Sequence, residues 1–201
     1  SPSTTKGEII NMRIGITTTM IKNASVKRSL RRPFPVSDMC ALYALVRVMQ
    51  VFCYDARMAL VIVGLGNPGK EYEKTRHNAG RAVVELIAKQ AAFDDFVFNK
   101  TANALLTKGA LEGAGVTLVL PETMMNLSGK SVAALVKSVK AAKNLLVIHD
   151  DLDLPLGTVK MVFGRGSGGH KGVESIMRAI KTKDFARLRI GISAVGKKNQ
   201  A

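Results

Sequence analysis

The sequence predicts a mixed α/β fold: one domain built on a mixed, mostly parallel twisted sheet with helices on both faces. Three observations carry this. Residues 59–63 and 145–148 are short, wholly apolar runs, the pattern of strands buried on both sides. Val83, Leu86, Ile87 and Ala91 recur at helical spacing. From residue 59 onward strand and helix patterns alternate as β-α-β-β-α-β-β-α-β, an order that suits a two-faced sheet.

The elements follow in order. Residues 59–63 form the first strand, and residues 79–92 a helix with its apolar stripe inward. Residues 104–106 and 116–120 flank the turn-rich EGAG and read as a hairpin. Val132, Leu135, Val136 and Val139 share one face of a helix expected over residues 126–140. Residues 145–148, 159–163 and 188–192 are further strands, the last two separated by a helix through Ile176 and Ile180.

The chain has 201 residues, is 47% hydrophobic and carries a formal net charge of +15. That size supports a real core, and that composition excludes wholesale disorder. Residues 1–57 contribute +6 and residues 58–201 contribute +9, so the globular part is basic in its own right. A basic surface favours a polyanionic partner such as nucleic acid. Residues 1–57 are acid-poor, rich in Ser, Thr, Lys and Arg, and contain Pro2, Pro33 and Pro35. They are read as an N-terminal extension, either an organellar transit segment or a non-native leader that begins at Ser1. Cys40 and Cys53 lie in this extension without a CxxC pair, which points to a reducing compartment. The apolar stretch 39–54 is interrupted by Arg47 and Gln50 and is too short and polar for a membrane span.

Four clusters carry the chemistry. Residues 64–80, GLGNPGKEYEKTRHNAG, place Asn67, Tyr72, His77 and Asn78 straight after the first strand. Strand ends of open α/β sheets are where ligands bind, and an imidazole titrates near neutral pH. Gly64, Gly66 and Gly69 match G-x-G-x-x-G in form only. In a dinucleotide site the helix begins inside the glycine loop, whereas here helical periodicity starts near Ala82. The second cluster is His149-Asp150-Asp151-Leu152-Asp153, expected just beyond the strand at 145–148. A carboxylate there would accept the ring N–H of His77 and leave its other nitrogen to take a proton from water. The bland reading is a solvated acidic turn. A zinc or magnesium site is a third reading, weakened by the missing H-x-x-x-H or C-x-x-C companions.

The third cluster, Gly164 to Gly172, reads GRGSGGHKG and opens a helix, where backbone N–H groups suit an anion. It lacks the G-K-[ST] ending of a P-loop, and Ser167 is not in a G-x-S-x-G elbow. A flexible connector is the alternative. In the fourth, PETMMNLSGK at 121–130, Asn126 is placed either to cap the following helix or to hold a substrate peptide group beside Met125.

Together and in this order, these clusters and the RLRIGI run at 187–192 closely resemble the bacterial-type peptidyl-tRNA hydrolases. The likeness runs from about Leu60 to Ser193, and residues 1–57 show none. The resemblance implies a peptidyl-tRNA hydrolase-like domain over residues 58–201 and hydrolysis of the ester joining a peptide to the 3′ ribose of tRNA. It implies peptidyl-tRNA as partner through its acceptor end and peptide, no cofactor, no metal, no membrane and a monomer. By position His77 resembles the catalytic base and Asp150 its orienting carboxylate. Asn67 and Asn126 resemble the amides that hold the peptide end and the reacting carbonyl. Tyr72 and Met125 resemble pocket walls, His170 and Lys171 lie in the substrate-binding G-G-H-x-G motif, and Arg189 and Lys160 resemble a tRNA-facing basic surface.

The chain departs from the family pattern twice. Lys171 stands where the family usually has Asn, and a lysine is bulkier, charged and donor-only. The chain also ends soon after Ile192, so the usual C-terminal strand and helices are expected to be missing. Those departures define the competing readings, a non-catalytic RNA-binding relative of the splicing-factor kind or an inactive truncated isoform. The compartment is read as mitochondrial or cytoplasmic.

Overall fold

The computed structural model describes residues 60–111 and 113–193. Along them run β1 (Leu60–Gly64), α1 (Ala79–Gln90), β2 (Val97–Asn99), β3 (Ala104–Leu111), β4 (Ala114–Pro121), α2 (Ser128–Leu135), α3 (Val139–Ala142), β5 (Leu145–Pro155), β6 (Val159–Phe163), α4 (Lys171–Ile180) and β7 (Ala186–Ser193). The expected extension 1–57 lies outside the described residues.

The strands form one sheet in the order β2-β3-β4-β1-β5-β7-β6. β1 pairs in parallel with β4 and β5, and β5 with β7. β3 and β6 run the other way against their neighbours, which leaves five described strands pointing in one direction. Alternation along each central strand splits the apolar side chains between two cores. Leu60, Ile62, Leu118, Leu146, Ile148 and Leu188 face α1 and its Val84 and Ile87. Val63, Val119, Leu145 and Val147 face α2 and α4, meeting Val132, Val173 and Ile176. Covering both faces explains why β1 and the start of β5 are continuously apolar.

Two helix–neighbour contacts are close enough to demand glycine. A methyl group at Gly80, in the first turn of α1, would overlap the Ile148 carbonyl of β5. One at Gly129 in α2 would overlap the Ser175 carbonyl of α4. The Ser175 hydroxyl accepts from Gly129 N at 3.0 Å.

Three sequence expectations need correction. The helix expected over 126–140 is two helices. Val136 leaves the helical region and Ser138 turns extended, its hydroxyl accepting from Ala141 N at 3.1 Å to start α3. A serine cap wins there over continued helical periodicity. The strand at 145–148 continues to Pro155, so the acidic cluster belongs to the strand and not to a loop after it. The three-residue edge strand β2 was not expected at all, and the hairpin strands are longer than their apolar centres.

Candidate active site

The site forms where β1 ends beside the middle of β5, at the pair Gly64 and Ile148. Leu65 N bonds the Ile148 carbonyl at 2.9 Å, which continues the β1–β5 register one residue past the strand. Arg81 N then bonds the Leu65 carbonyl at 3.0 Å, tying the start of α1 to the same corner. The chain between them, residues 66–78, brings His77 to Asp150 in the middle of β5. It closes in a 3-10 turn at Arg76–Asn78 that carries His77.

Asp150 sits under that turn and receives two imidazoles. His77 Nδ1 lies 2.8 Å from Asp150 Oδ2, and His170 Nε2 lies 3.0 Å from Oδ1. His170 is the N-cap of α4. Its Nδ1 accepts from Gly172 N at 3.2 Å and Val173 N at 3.3 Å. An acceptor Nδ1 requires the proton on Nε2, so the His170 tautomer is fixed and Nε2–H donates to the carboxylate. Burial pushes the Asp150 carboxyl up, but the hydrogen bonds from His170 and His77 outweigh it and hold it below its ordinary range. The carboxylate is therefore ionised, and it takes Nδ1–H of His77. That leaves Nε2 of His77 as a lone pair on a ring that is half exposed. Such a nitrogen can accept a proton from water.

Asn67 is placed by three hydrogen bonds. Its backbone N–H and carbonyl bond the Asn78 side-chain amide at 2.9 Å each, as a strand neighbour would. Its own Oδ1 accepts from Met125 N at 2.8 Å. Because that partner is a donor, the orientation of the amide is fixed and the NH₂ end of Asn67 is turned away, available to a substrate carbonyl. Met125 begins the 3-10 turn Met125–Leu127 that leads into α2, and its side chain packs on the second core and against Gly172. Asn126 in this turn is exposed and does not cap α2, whose start has no side-chain cap. Of its two expected jobs, the cap is therefore corrected. Arg81 braces the loop from below, donating to Pro121 O at 3.1 Å and Glu122 Oε1 at 2.5 Å.

The remaining expected residues are spread around this centre. Tyr72 is half-buried in the loop before His77, and its backbone takes part in the turns that shape it. Lys171 is the exposed first residue of α4. Lys160 is exposed on β6, directly opposite Arg189 of β7. Arg189 is not a free cation: it is ion-paired with Asp151 and lies 3.9 Å from Asp153. Burial pushes the Asp151 carboxyl up, and the Arg189 hydrogen bond more than reverses this. The glycine-rich segment before α4 turns through positive φ at Gly164, Gly168 and Gly169, conformations that favour glycine. The expectation that the amides at the start of α4 cradle an anion is corrected for two of them, since the Gly172 and Val173 N–H groups are taken by His170.

Sequence reasoning gave no role to four residues here. Asn78 carries Asn67, and its position beside His77 in the motif was the available signal. Arg81 has no sequence signal beyond its charge in a helix. His149 was seen only as part of an acidic cluster, yet its ring is buried and meets His170 edge-on with centroids 4.5 Å apart. Arg187 is the second residue of β7, two before Arg189. It is buried, and donates to the Arg165 carbonyl at 2.8 Å.

No group of three or more His, Cys, Asp or Glu side chains among the described residues is arranged to hold a metal ion. No helix among them is long and apolar enough to cross a membrane.

Fold and site together place a carboxylate-bound histidine beside the end of β1 in an open α/β sheet, an arrangement that hydrolases can use. The comparisons with known proteins narrow this. The family model described as Peptidyl-tRNA hydrolase matches residues 61–201. The peptidyl-tRNA hydrolase of Thermodesulfovibrio yellowstonii is 47% identical over 137 residues, which cover 66% of this chain and 71% of the relative. That of Nocardia farcinica is 46% identical over 133 residues, covering 66% and 68%. A crystal structure of peptidyl-tRNA hydrolase from Acinetobacter baumannii is 41% identical, with a TM-score of 0.63 over 70% of this chain and 71% of that one. The chain belongs to the peptidyl-tRNA hydrolase family, a family of hydrolases. This membership supports the hydrolase reading over the non-catalytic RNA-binding one.

Proposed function

We propose that the chain hydrolyses the ester between a peptide and the 3′ ribose oxygen of tRNA, with His77 as general base. The observation that carries this is the 2.8 Å contact between Asp150 and Nδ1 of a half-exposed His77, which leaves Nε2 basic and accessible. Nε2 removes a proton from a water molecule as its oxygen attacks the acyl carbon. Asp150 holds the ring and stabilises the imidazolium that results. The free NH₂ of Asn67 and the exposed amide of Asn126 donate to the carbonyl oxygen as it gains charge. The C–O ester bond then breaks, and the proton on His77 passes to the departing ribose oxygen. An ester is activated enough for these groups to suffice. Tyr72 and Met125 wall the peptide side.

Lys160, Lys171 and Arg165 are exposed cations on the β6–α4 side of the site, and they suit the phosphates of the acceptor end. The working state proposed is a monomer. The composition of residues 1–57 suits an organellar transit segment or a non-native leader, and the compartment proposed is mitochondrial or cytoplasmic.

The test is cleavage of peptidyl-tRNA by the chain and by His77→Ala. A fall of about 10²–10⁴-fold in kcat is expected. Turnover equal to the parent would remove His77 from the mechanism.

A further inference from the structure

We propose that His149, a buried histidine with no part in the chemistry above, positions His170 and through it Asp150. The inference rests on the proposed function for its catalytic consequence, but its structural half stands on geometry alone.

His149 lies on β5 next to Asp150, on the face shared with Val147, and is only 2% exposed. Its Nδ1 is 2.7 Å from the carbonyl of Asp150. A carbonyl only accepts, so Nδ1 carries the proton and grips the backbone of the catalytic carboxylate. The same ring meets His170 edge-on, with the planes at 62°. One side chain thus touches both the main chain of Asp150 and the ring that bonds its Oδ1. One register step away, Arg187 of β7, paired with Val147, donates to the carbonyl of Arg165, where the glycine-rich segment begins. His170 ends that segment. Two buried polar residues therefore fasten both ends of a run that turns on glycines and has exposed residues at its centre.

Packing alone does not account for the choice of histidine. Nε2 of His149 is buried and has no protein partner among the described residues, and neither has Nε of Arg187. Buried polar atoms left unpaired are costly, and an apolar ring would fill the same space without that cost. The ring also stays uncharged. Burial is the main reason its pKa falls to about 3, with His170 and Arg187 adding to the effect. A neutral neighbour lets His170 keep its Nε2 proton aimed at Asp150 without competing for the carboxylate.

The experiment is a double-mutant cycle on the full chain, with His149→Ala, His170→Ala and the pair, and with His149→Phe to keep the ring volume if the alanine variant folds poorly. Positioning predicts that kcat of His149→Ala falls about tenfold while KM stays within about twofold. It predicts no further fall when His149→Ala is added to His170→Ala, because the effect passes through that ring. An equal fall in both backgrounds, as general loosening of the fold would give, overturns the proposal. So does parent-like kcat. A second readout is independent of turnover. The ring N–H signal of His170 in proton–nitrogen NMR is expected to be sharp in the parent and broadened or lost in His149→Ala. If it persists unchanged the proposal fails. If the parent cleaves nothing yet the signal responds as expected, the positioning stands and only the proposed activity falls.

Discussion

Asp150 grips two histidines from opposite walls of the site, and they do opposite work. His77 comes from the 3-10 turn before α1 and is half exposed; His170 comes from the segment before α4 and is mostly buried. Both give a ring nitrogen to the same carboxylate. What separates them is the other nitrogen. In His170 it is consumed by two backbone N–H groups of α4. In His77 it has no protein partner among the described residues. The same side chain, held by the same acid, is a helix cap in one place and a candidate base in the other. Residue type and partner do not assign a catalytic role; the unoccupied valence does.

The widest separation between the two is expected in turnover. His77→Ala removes the proposed proton acceptor and is expected to cost about 10²–10⁴-fold in kcat. His170→Ala removes an orienting bond and a cap, and is expected to cost about tenfold in kcat with about 1 kcal/mol of stability. Single-turnover cleavage and thermal melting of both variants measure the contrast, and equal losses of kcat would erase it. Asp150→Asn tests the shared acid. An amide cannot serve as ionised partner to both rings, so kcat is expected to fall at least as far as in His77→Ala, with folding retained by circular dichroism.

His149 sharpens the comparison through pH. Its pKa in the folded state is lowered to about 3, whereas the unfolded ring titrates near 6.5. Between those values the unfolded chain binds the extra proton, so folding stability is full above about pH 6.5 and drains away as pH falls toward 3. The Asp150 carboxyl, held low by its two histidines, adds a loss in the same direction below its ordinary range. Melting temperature measured from pH 7 to pH 4 is expected to fall. His149→Phe should flatten that slope, by up to a few kcal/mol of stability at the acid end. An unchanged slope would mean that the buried ring does not govern acid stability.

The smallest effect is expected at Lys171, beside His170. Lys171→Asn should leave kcat within about threefold and lower the slope of log KM against log salt by about one unit, as one phosphate contact is lost. Kinetics at several salt concentrations separate that from a change in chemistry.

Much of this was legible in the sequence, for identifiable reasons. β1 and the first half of β5 are buried on both faces and therefore announce themselves as unbroken apolar runs. The pairing of His77 with Asp150 was readable because each follows such a run. Polar strand residues were not. His149 to Asp151 continue β5 as buried polar residues and Leu152 and Asp153 as exposed ones, so neither alternation nor apolarity marks them as strand. Arg187 hid within RLRIGI because burial of a guanidinium depends on a carbonyl 22 residues away in sequence. Asn126 looked like a cap because caps are chosen from the same short polar residues that serve as ligands.

Gly80 shows how far the site extends beyond its reactive atoms. No hydrogen separates α1 from the Ile148 carbonyl there except glycine's own, and the His77 turn leads straight into that helix. The position acts as a spacer gauge for the distance across which His77 and Asp150 meet. In an activity screen, variants at Gly80 would be scored with the losses of the base itself, although the position contributes no group to the reaction.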